Sequence, residues 1–236
     1  MTESSVVAVA TNVLASPNEA FAAIKERPRA WLPLLLLLAG GCVIAVLYVY
    51  SVDLPWLMEQ QLDASEAQLT DAQREQAVER MANMTPGFPA ALGAIGTVAS
   101  ILLWFGVLAL YYTGVSFATG DGIKYKQWFG LLAWSSLPGV LGILASLVNL
   151  LTTDARFMLQ DNINPLSFGS LFSIDSEGAS TLQRILLSRD ITFLWSLVLM
   201  MLGYQQWTQR SLVTSAVVVL GPLALIVGVS AVIAMS

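Results

Sequence analysis

The chain has 236 residues, of which 56% are hydrophobic and only 11% are charged, with a net charge of −5. Soluble domains carry about a quarter charged residues, so this composition excludes a soluble globular protein. The charges are clustered, and the uncharged runs between them reach about 20 residues, which a helix needs to cross a bilayer. We therefore predict an all-α integral membrane bundle, because a membrane barrel would show alternating polarity in segments of about ten residues.

Residues 1–29 form the first predicted unit, a cytosolic amphipathic segment. Apolar residues recur at helical spacing from Val6 to Val13, and Ser16-Pro17-Asn18-Glu19 is a capping box that predicts a second helix. This second helix stops at Pro28 and is too short to span a membrane. It could lie on the membrane surface, or it could pack on the bundle as an ordered lead-in, and the sequence leaves both alternatives open.

Residues 30–236 form the second predicted unit, a membrane domain with five transmembrane helices. Two longer hydrophilic loops, 53–88 and 152–190, interrupt the apolar runs, and the first of them should contain a soluble helix starting at Thr70-Asp71-Ala72-Gln73. The predicted spans are about 30–52, 89–112, 128–151, 191–207 and 212–235.

Small and aromatic residues refine the spans. Gly40-Gly41 in the first span predicts a close helix contact, and so do two pairs in the second span, Gly93 with Thr97 and Gly96 with Ser100. Tyr111 and Tyr112 are predicted to form the aromatic belt where the second span ends.

The positive charges predict the orientation. Cytoplasmic loops are enriched in Lys and Arg near the membrane. This rule places the N-terminus in the cytoplasm, the C-terminus outside and the two acidic loops outside, on the evidence of Lys25, Arg27, Arg29, Lys124, Lys126 and Arg210.

The turn at 120–127 joins the second and third predicted spans. Gly120-Asp121-Gly122 lacks the rest of a phosphate-binding pattern, so we interpret it as a tight turn. The lysines that follow, Lys124 and Lys126, are interpreted as topology anchors.

The third span contains the candidate contact surface or cavity. Pro138 must interrupt the helical hydrogen bonds and bend the span. Polar side chains lie near it and in the fourth span, and they could line a cavity or simply form hydrogen bonds between helices. This candidate set is Ser135, Ser136, Pro138, Asn149 and Gln205.

The residue inventory speaks against an enzyme. The chain has no histidine and one cysteine, Cys42, which excludes histidine-based triads and the usual zinc motifs. A Ser-Lys dyad would need a turn lysine near Ser116 or Ser135. The acids Asp71, Glu75 and Glu79 are expected to face water rather than a metal. We predict no catalytic, cofactor or metal site, and no charged residue in the middle of a span.

Several short motifs are shared with a known family. Ser16 to Phe21, then Glu26-Arg27-Pro28, then Pro33-Leu34 resemble the opening of bacterial Yip-domain proteins, which are relatives of the Ypt-interacting-protein family. The turn from Gly120 followed by Ala133 to Pro138 resembles that family's glycine turn and aromatic-Ser-x-x-Pro helix. The resemblance implies five spans and a bacterial inner-membrane protein. The eukaryotic Rab-binding role does not carry over, because their Asp-Leu-Tyr-Gly-Pro signature is not found near the first span.

Two functions are consistent with these observations. The first is a non-enzymatic scaffold or accessory subunit of a membrane complex, with export or membrane organisation as an extrapolation. The alternative is a transporter or channel for a small or lipidic solute. Expected partners are membrane lipids and either a membrane protein or a second copy of the chain, without nucleic acid.

Overall fold

The structure is a computed structural model that describes residues 6–64, 69–174 and 181–235. Within these ranges the chain is helical, and the one extended contact is an isolated bridge between Ser167 and Asp190. A short 3-10 helix, Gln160–Asn162, accompanies the α-helices. These are α1 Val6–Ala15, α2 Pro17–Glu26, α3 Trp31–Ser51, α4 Leu54–Asp63, α5 Asp71–Ala82, α6 Gly87–Thr119, α7 Tyr125–Ser135, α8 Gly139–Thr152, α9 Phe168–Leu171, α10 Thr181–Leu187, α11 Ile191–Thr208 and α12 Leu212–Met235.

Three of the described helices are long and apolar enough to cross a membrane, namely α3, α6 and α12 over Leu212–Val232. The consecutive helices α7 and α8 meet the same test together and are bent by 43°, so they can count as a fourth span. The predicted span 191–207 corresponds to α11, which has 18 residues and a polar last stretch. Five spans therefore remain a prediction.

Helix α6 is longer than the predicted span 89–112, with 33 residues. It ends only where Gly120 adopts a left-handed φ of 75°. Tyr112 therefore lies inside the helix rather than at its end, and it is 2% exposed. The prediction that Tyr112 belongs to an interfacial belt is wrong, because the helix continues toward the turn and carries Tyr112 into the core.

Small residues allow α3 to pack closely on its neighbours. A Cβ atom at Gly40 would lie 2.6 Å from Ile143 of α8, and one at Gly41 would lie 2.8 Å from Thr97 of α6. The predicted close contact of Gly40-Gly41 is confirmed. Of the two predicted pairs on α6, only the one containing Thr97 packs on α3, since no heavy atom lies within 4 Å of a Cβ at Gly96.

The bundle has two distinct ends. At the first, Gln127 donates to the Lys25 carbonyl (3.0 Å), and Arg210 lies 3.3 Å from the Asp121 carboxylate. This end, which we call the N-terminal end, joins α1, α2, the turn at 120–127 and the turn between α11 and α12. These segments therefore lie at one end of the bundle, and the side of the membrane that this end faces stays a prediction.

The opposite end, which we call the far end, joins the two longer loops. The Tyr48 hydroxyl donates to the Met158 carbonyl at 2.9 Å, and Arg156 pairs with Asp53 at 3.5 Å. Both contacts link the end of α3 to the segment after α8. The two predicted outer loops therefore share one end of the bundle, as the charge pattern requires.

The helices α1 and α2 pack on the bundle rather than standing apart from it. The apolar face of α2 is buried, with Phe21 0% and Ile24 1% exposed. The indole of Trp207 donates to the Phe21 carbonyl at 2.9 Å. Of the two alternatives left open by the sequence, the structure shows the packed lead-in. The predicted capping box is absent, because the Ser16 side chain makes no capping hydrogen bond, although α2 does begin at Pro17.

Candidate functional site

The bend between α7 and α8 is the local feature from which the candidate site is built. Leu137 N donates to the Trp134 carbonyl (3.1 Å) and Gly139 N to the Ser136 carbonyl (3.0 Å). These bonds reach back three residues instead of four, so they satisfy the backbone where Pro138 lacks an N–H. The predicted break at Pro138 is confirmed, and it turns Ser135 and Ser136 toward the centre of the bundle.

A cavity of about 390 Å³ lies beside this bend. It is enclosed by α3, α6, α7, α8, α11 and α12, and its wall is mainly apolar, with Leu37, Phe105, Leu132, Met200 and Leu223 as examples. Ligand pockets in proteins have volumes of about 300–1,000 Å³ and similar apolar walls. The cavity is therefore large enough to hold a small molecule or part of a lipid chain.

Two predicted residues, Ser135 and Ser136, form part of the cavity wall. The Ser136 hydroxyl donates to the Leu132 carbonyl at 2.9 Å. Ser135 is 2% exposed, and within the described part of the chain its hydroxyl has no hydrogen-bond partner. A buried polar group without a partner costs about 1–3 kcal/mol. A ligand with a hydrogen-bonding group would satisfy Ser135.

Asp190 adds a carboxylate to the same wall. It caps the N-terminus of α11, accepting hydrogen bonds from Phe193 N (2.8 Å), the Thr192 hydroxyl (2.7 Å) and the Asn164 amide (2.6 Å). Three donors and the positive end of the helix stabilise this half-buried charge.

Asp190 lies against α8 within the length of that helix. A Cβ atom at Gly142 would lie 2.6 Å from its carboxylate, and Gly142 precedes the last residue of α8, Thr152, by ten positions. Ten residues correspond to about 15 Å of helix, roughly half of a bilayer core. The loop 152–190 folds back against the bundle, so the half-buried Asp190 contacts α8 well before the end of that helix. Asp190 lies just before α11 and outside the predicted spans, so the prediction that no charge lies in the middle of a span stays a prediction.

Arg189 lies at the rim of the cavity next to Asp190. Its guanidinium lies 5.5 Å from the centre of the Phe193 ring, and its Nε donates to the Ile185 carbonyl at 3.3 Å. The cavity therefore has one charged end and one long apolar surface.

The cavity reaches the outer surface of the bundle beside α6. Trp104 of α6 lines it and keeps 43% of its surface exposed. Toward the N-terminal end α6 and α12 touch, because the Tyr111 hydroxyl donates to the Val218 carbonyl at 3.0 Å. Pro222 also lines the cavity, and α12 continues past this proline as one helix.

Four aromatic side chains pack together on the N-terminal side of the cavity, and one of them, Tyr112, lines it. Trp128 is at their centre, with its ring 5.4 Å from Tyr112, 5.4 Å from Tyr204 and 5.5 Å from Trp207. Its indole N–H donates to the Ser116 hydroxyl at 3.1 Å. Ser116 thus accepts a hydrogen bond from a buried tryptophan. We name Tyr112, Trp128, Tyr204 and Trp207 the aromatic cluster. The sequence alone does not predict this cluster, and its one signal is the concentration of large aromatics around the 120–127 turn.

The other predicted site residues lie elsewhere. Asn149, near the end of α8, donates to the carbonyls of Asn162 (3.1 Å) and Ile163 (3.0 Å), and so holds the loop 152–190. Gln205 is half-buried near the other end of α11, and its carbonyl accepts from Gln209. The structure brings Ser135, Ser136 and the buried Pro138 together, and it separates Asn149 and Gln205 from them.

The 120–127 turn has the predicted conformation. Gly120 and Gly122 have φ angles of 75° and 69°, which favour glycine. Asp121 pairs with Arg210 and so connects this turn to the one after α11. Lys124 and Lys126 are exposed. Across the described ranges no group of three His, Cys, Asp or Glu side chains is placed to bind a metal ion, and this applies to Asp71, Glu75 and Glu79 as well.

Comparison with known proteins places these observations in a family. The chain is a multi-pass helical membrane protein by its apolar helices. The Yip1 domain family matches residues 11–234, so the chain belongs to the Yip1 domain family, and the resemblance drawn from its motifs is confirmed. A similar curated protein is membrane protein YknW of Bacillus subtilis (strain 168), with 32% identity over 193 residues, or 81% of this chain and 74% of YknW. No solved structure matches the chain.

Proposed function

We propose that this Yip1-domain protein is a non-enzymatic scaffold or accessory subunit of a membrane complex. It would be an inner-membrane protein with a cytoplasmic N-terminus and five spans, in which α11 serves as the short fourth span beside the folded-back loop 152–190. In this arrangement the hairpin of α4 and α5, at the far end, projects outside the membrane. One observation about this hairpin carries the proposal.

Neither α4 nor α5 contains a buried residue. They contact each other, and Arg74 pairs with Asp63 at 2.6 Å. One ring contact, Trp56 with Phe157 at 5.6 Å, fixes the base of the hairpin to the segment after α8. Helices of 10 and 12 residues are marginal in water without tertiary packing. A partner covering the half-buried apolar residues, such as Val78 and Met81, would supply that packing.

Site-specific photo-crosslinking in native membranes tests this proposal. A photoreactive residue would replace Gln76 or Arg80, both exposed on α5, and the matched control would replace Thr152, exposed at the same end of the bundle. We expect a discrete crosslinked product from the α5 positions and a weaker one or none from Thr152. A protein that purifies alone, with equal diffuse labelling at all three positions, would contradict the accessory role. A crosslink between two copies would identify the chain itself as the partner.

The cavity supports a second candidate, the binding or transport of a small or lipidic solute. The observation in its favour is the unpartnered Ser135 hydroxyl on an otherwise apolar wall beside Asp190. In vesicles containing the purified protein, the solute flux should fall when Ser135→Ala and Asp190→Asn are combined, while Asn149→Ala should leave flux unchanged. Flux that survives the combined variant would remove the cavity as the route.

A further inference from the structure

We propose that the N-terminal end of the bundle binds the headgroup of one anionic phospholipid, held by Arg27, Arg29 and Lys126. The proposal does not depend on the accessory role or on the cavity. Its basis is a surface recess of about 470 Å³, lined by the segment 26–31 and by Lys126. The recess combines three cations from two separate parts of the chain with one acid, Glu26.

The backbone around the recess is held in place by α7. The Trp134 indole donates to the Arg29 carbonyl at 2.8 Å, and the Gln127 amide donates to the Lys25 carbonyl at 3.0 Å. Pro28 packs directly on Gly130, where a Cβ atom would lie only 2.9 Å from the proline ring. These contacts bring Lys126, in the first turn of α7, next to the linker that carries the two arginines. A site whose backbone is already ordered loses little entropy on binding.

The charge of the recess favours an anion. Arg29 and Lys126 are exposed, and the recess has an excess of basic over acidic side chains. Phosphate oxygens accept charge-assisted hydrogen bonds from guanidinium and ammonium groups, and arginine can bind them through two parallel bonds. A basic residue near an anionic membrane surface contributes about 1 kcal/mol of attraction.

The surface next to the recess favours a lipid over a soluble anion. Trp31 lines the recess as the first residue of α3, and Leu35 follows one helical turn further into the membrane. Both side chains are 55% exposed. Tryptophan is typical of the level of the headgroups, and an exposed leucine below it can contact an acyl chain. Cations above and apolar side chains below match the shape of an anionic phospholipid.

The same turn supplies a matched control. Lys124 is as exposed as Lys126 and carries the same charge, but it does not line the recess. A general attraction of basic residues to the membrane would use both lysines equally. A headgroup site would use only Lys126.

Native mass spectrometry of the full-length protein in detergent tests the site, with phosphatidylglycerol and phosphatidylcholine as probes. We expect the wild-type protein to retain phosphatidylglycerol in preference, with one molecule held most strongly. Combining Arg29→Gln with Lys126→Gln should lower this retention by about tenfold or more, given the loss of two basic contacts. Lys124→Gln should retain as much lipid as the wild type, and so should Lys126→Arg, which keeps the charge.

Three outcomes would overturn the proposal. The first is unchanged phosphatidylglycerol retention in the double variant. The second is an equal loss for Lys124→Gln, which would indicate general charge attraction. The third is complete displacement of the lipid by millimolar inorganic phosphate, which would indicate a site for the free anion. The melting temperature of each variant in detergent shows whether it is folded, and the charge-conserving Lys126→Arg variant keeps the test valid if neutral variants are unstable.

Discussion

The two ends of the bundle are built in different ways. At the N-terminal end the aromatic cluster is almost entirely buried, with Trp128 and Tyr204 both 0% exposed. At the far end the hairpin of α4 and α5 has no buried residue. Apolar packing dominates stability, so the N-terminal end should unfold together with the bundle, whereas the hairpin should open by itself.

Side-chain donors reinforce this difference. The carbonyls of Phe21, Lys25 and Arg29, spaced four residues apart, accept hydrogen bonds from Trp207, Gln127 and Trp134. The carbonyls of Lys25, in the last turn of α2, and Arg29, in the linker after it, lack helical partners, so Gln127 and Trp134 satisfy groups that would otherwise need water. In return, Lys25 donates to the Trp207 carbonyl at 2.9 Å. Such contacts attach α2 and the linker after it to α7 and α11, and they make this end a rigid platform.

The largest expected effect is that of Trp128→Ala. This change removes the centre of the aromatic cluster and its bond to Ser116. Replacing a buried large aromatic residue by alanine costs about 3–5 kcal/mol. We expect a clear fall in the melting temperature in detergent. The matched control is Trp195→Ala, at a position 39% exposed on α11, which should cost much less. Equal losses for both variants would contradict the central role of the cluster.

A smaller effect is expected from Gly203→Ala, which tests how closely α7 and α11 approach. A Cβ atom at Gly203 would clash with Leu131, because the nearest carbon of the Leu131 side chain lies well inside van der Waals contact distance. Overpacking of this kind costs about 1–3 kcal/mol. The control is Gly96→Ala, where no heavy atom lies within 4 Å and alanine favours the helix. The melting temperature should fall for Gly203→Ala but not for Gly96→Ala. A Gly203→Ala variant with an unchanged melting temperature would show that α7 and α11 can move apart.

The sequence predicted the helices and their bends better than it predicted which residues are buried. The bend at Pro138 was predictable because proline lacks an amide hydrogen, and the contacts of Gly40 and Gly41 were predictable because small residues allow close approach. Tyr112 was misplaced because α6 continues beyond the predicted end of its span. A hydropathy pattern reports the length of a run and not where the helix stops.

The placement of Asp190 in the candidate site was also not predictable from the sequence. Its position just before an apolar run suggested an outer loop, yet the fold brings it against Gly142 of α8. The local signal was present, because an aspartate before a helix is a typical N-cap. What the sequence could not show is that Asn149 and Asn164 hold the loop 152–190 against the bundle, since those contacts join residues separated along the chain.

The smallest effect on the stability of the whole protein is expected from Thr70→Ala. This variant also tests most directly the difference between the two ends of the bundle. Thr70 forms the capping box predicted for α5: its hydroxyl accepts from Gln73 N at 3.3 Å, and its own N–H donates to the Gln73 side chain at 2.9 Å. Loss of such a cap costs about 1 kcal/mol, which corresponds to roughly a fivefold change in an equilibrium constant.

Because α5 contributes no buried residue, that cost should remain local. Amide hydrogen exchange should become about fivefold faster in α5, while the exchange of α7 and α11 and the melting temperature stay unchanged. The matched control is Gln76→Ala, an exposed change in the same helix that leaves the cap intact. If Thr70→Ala instead lowers the stability of the whole bundle, then the hairpin unfolds together with the membrane helices. In that case the far end is as integral to the fold as the aromatic cluster, and the argument for a partner on α5 loses its basis.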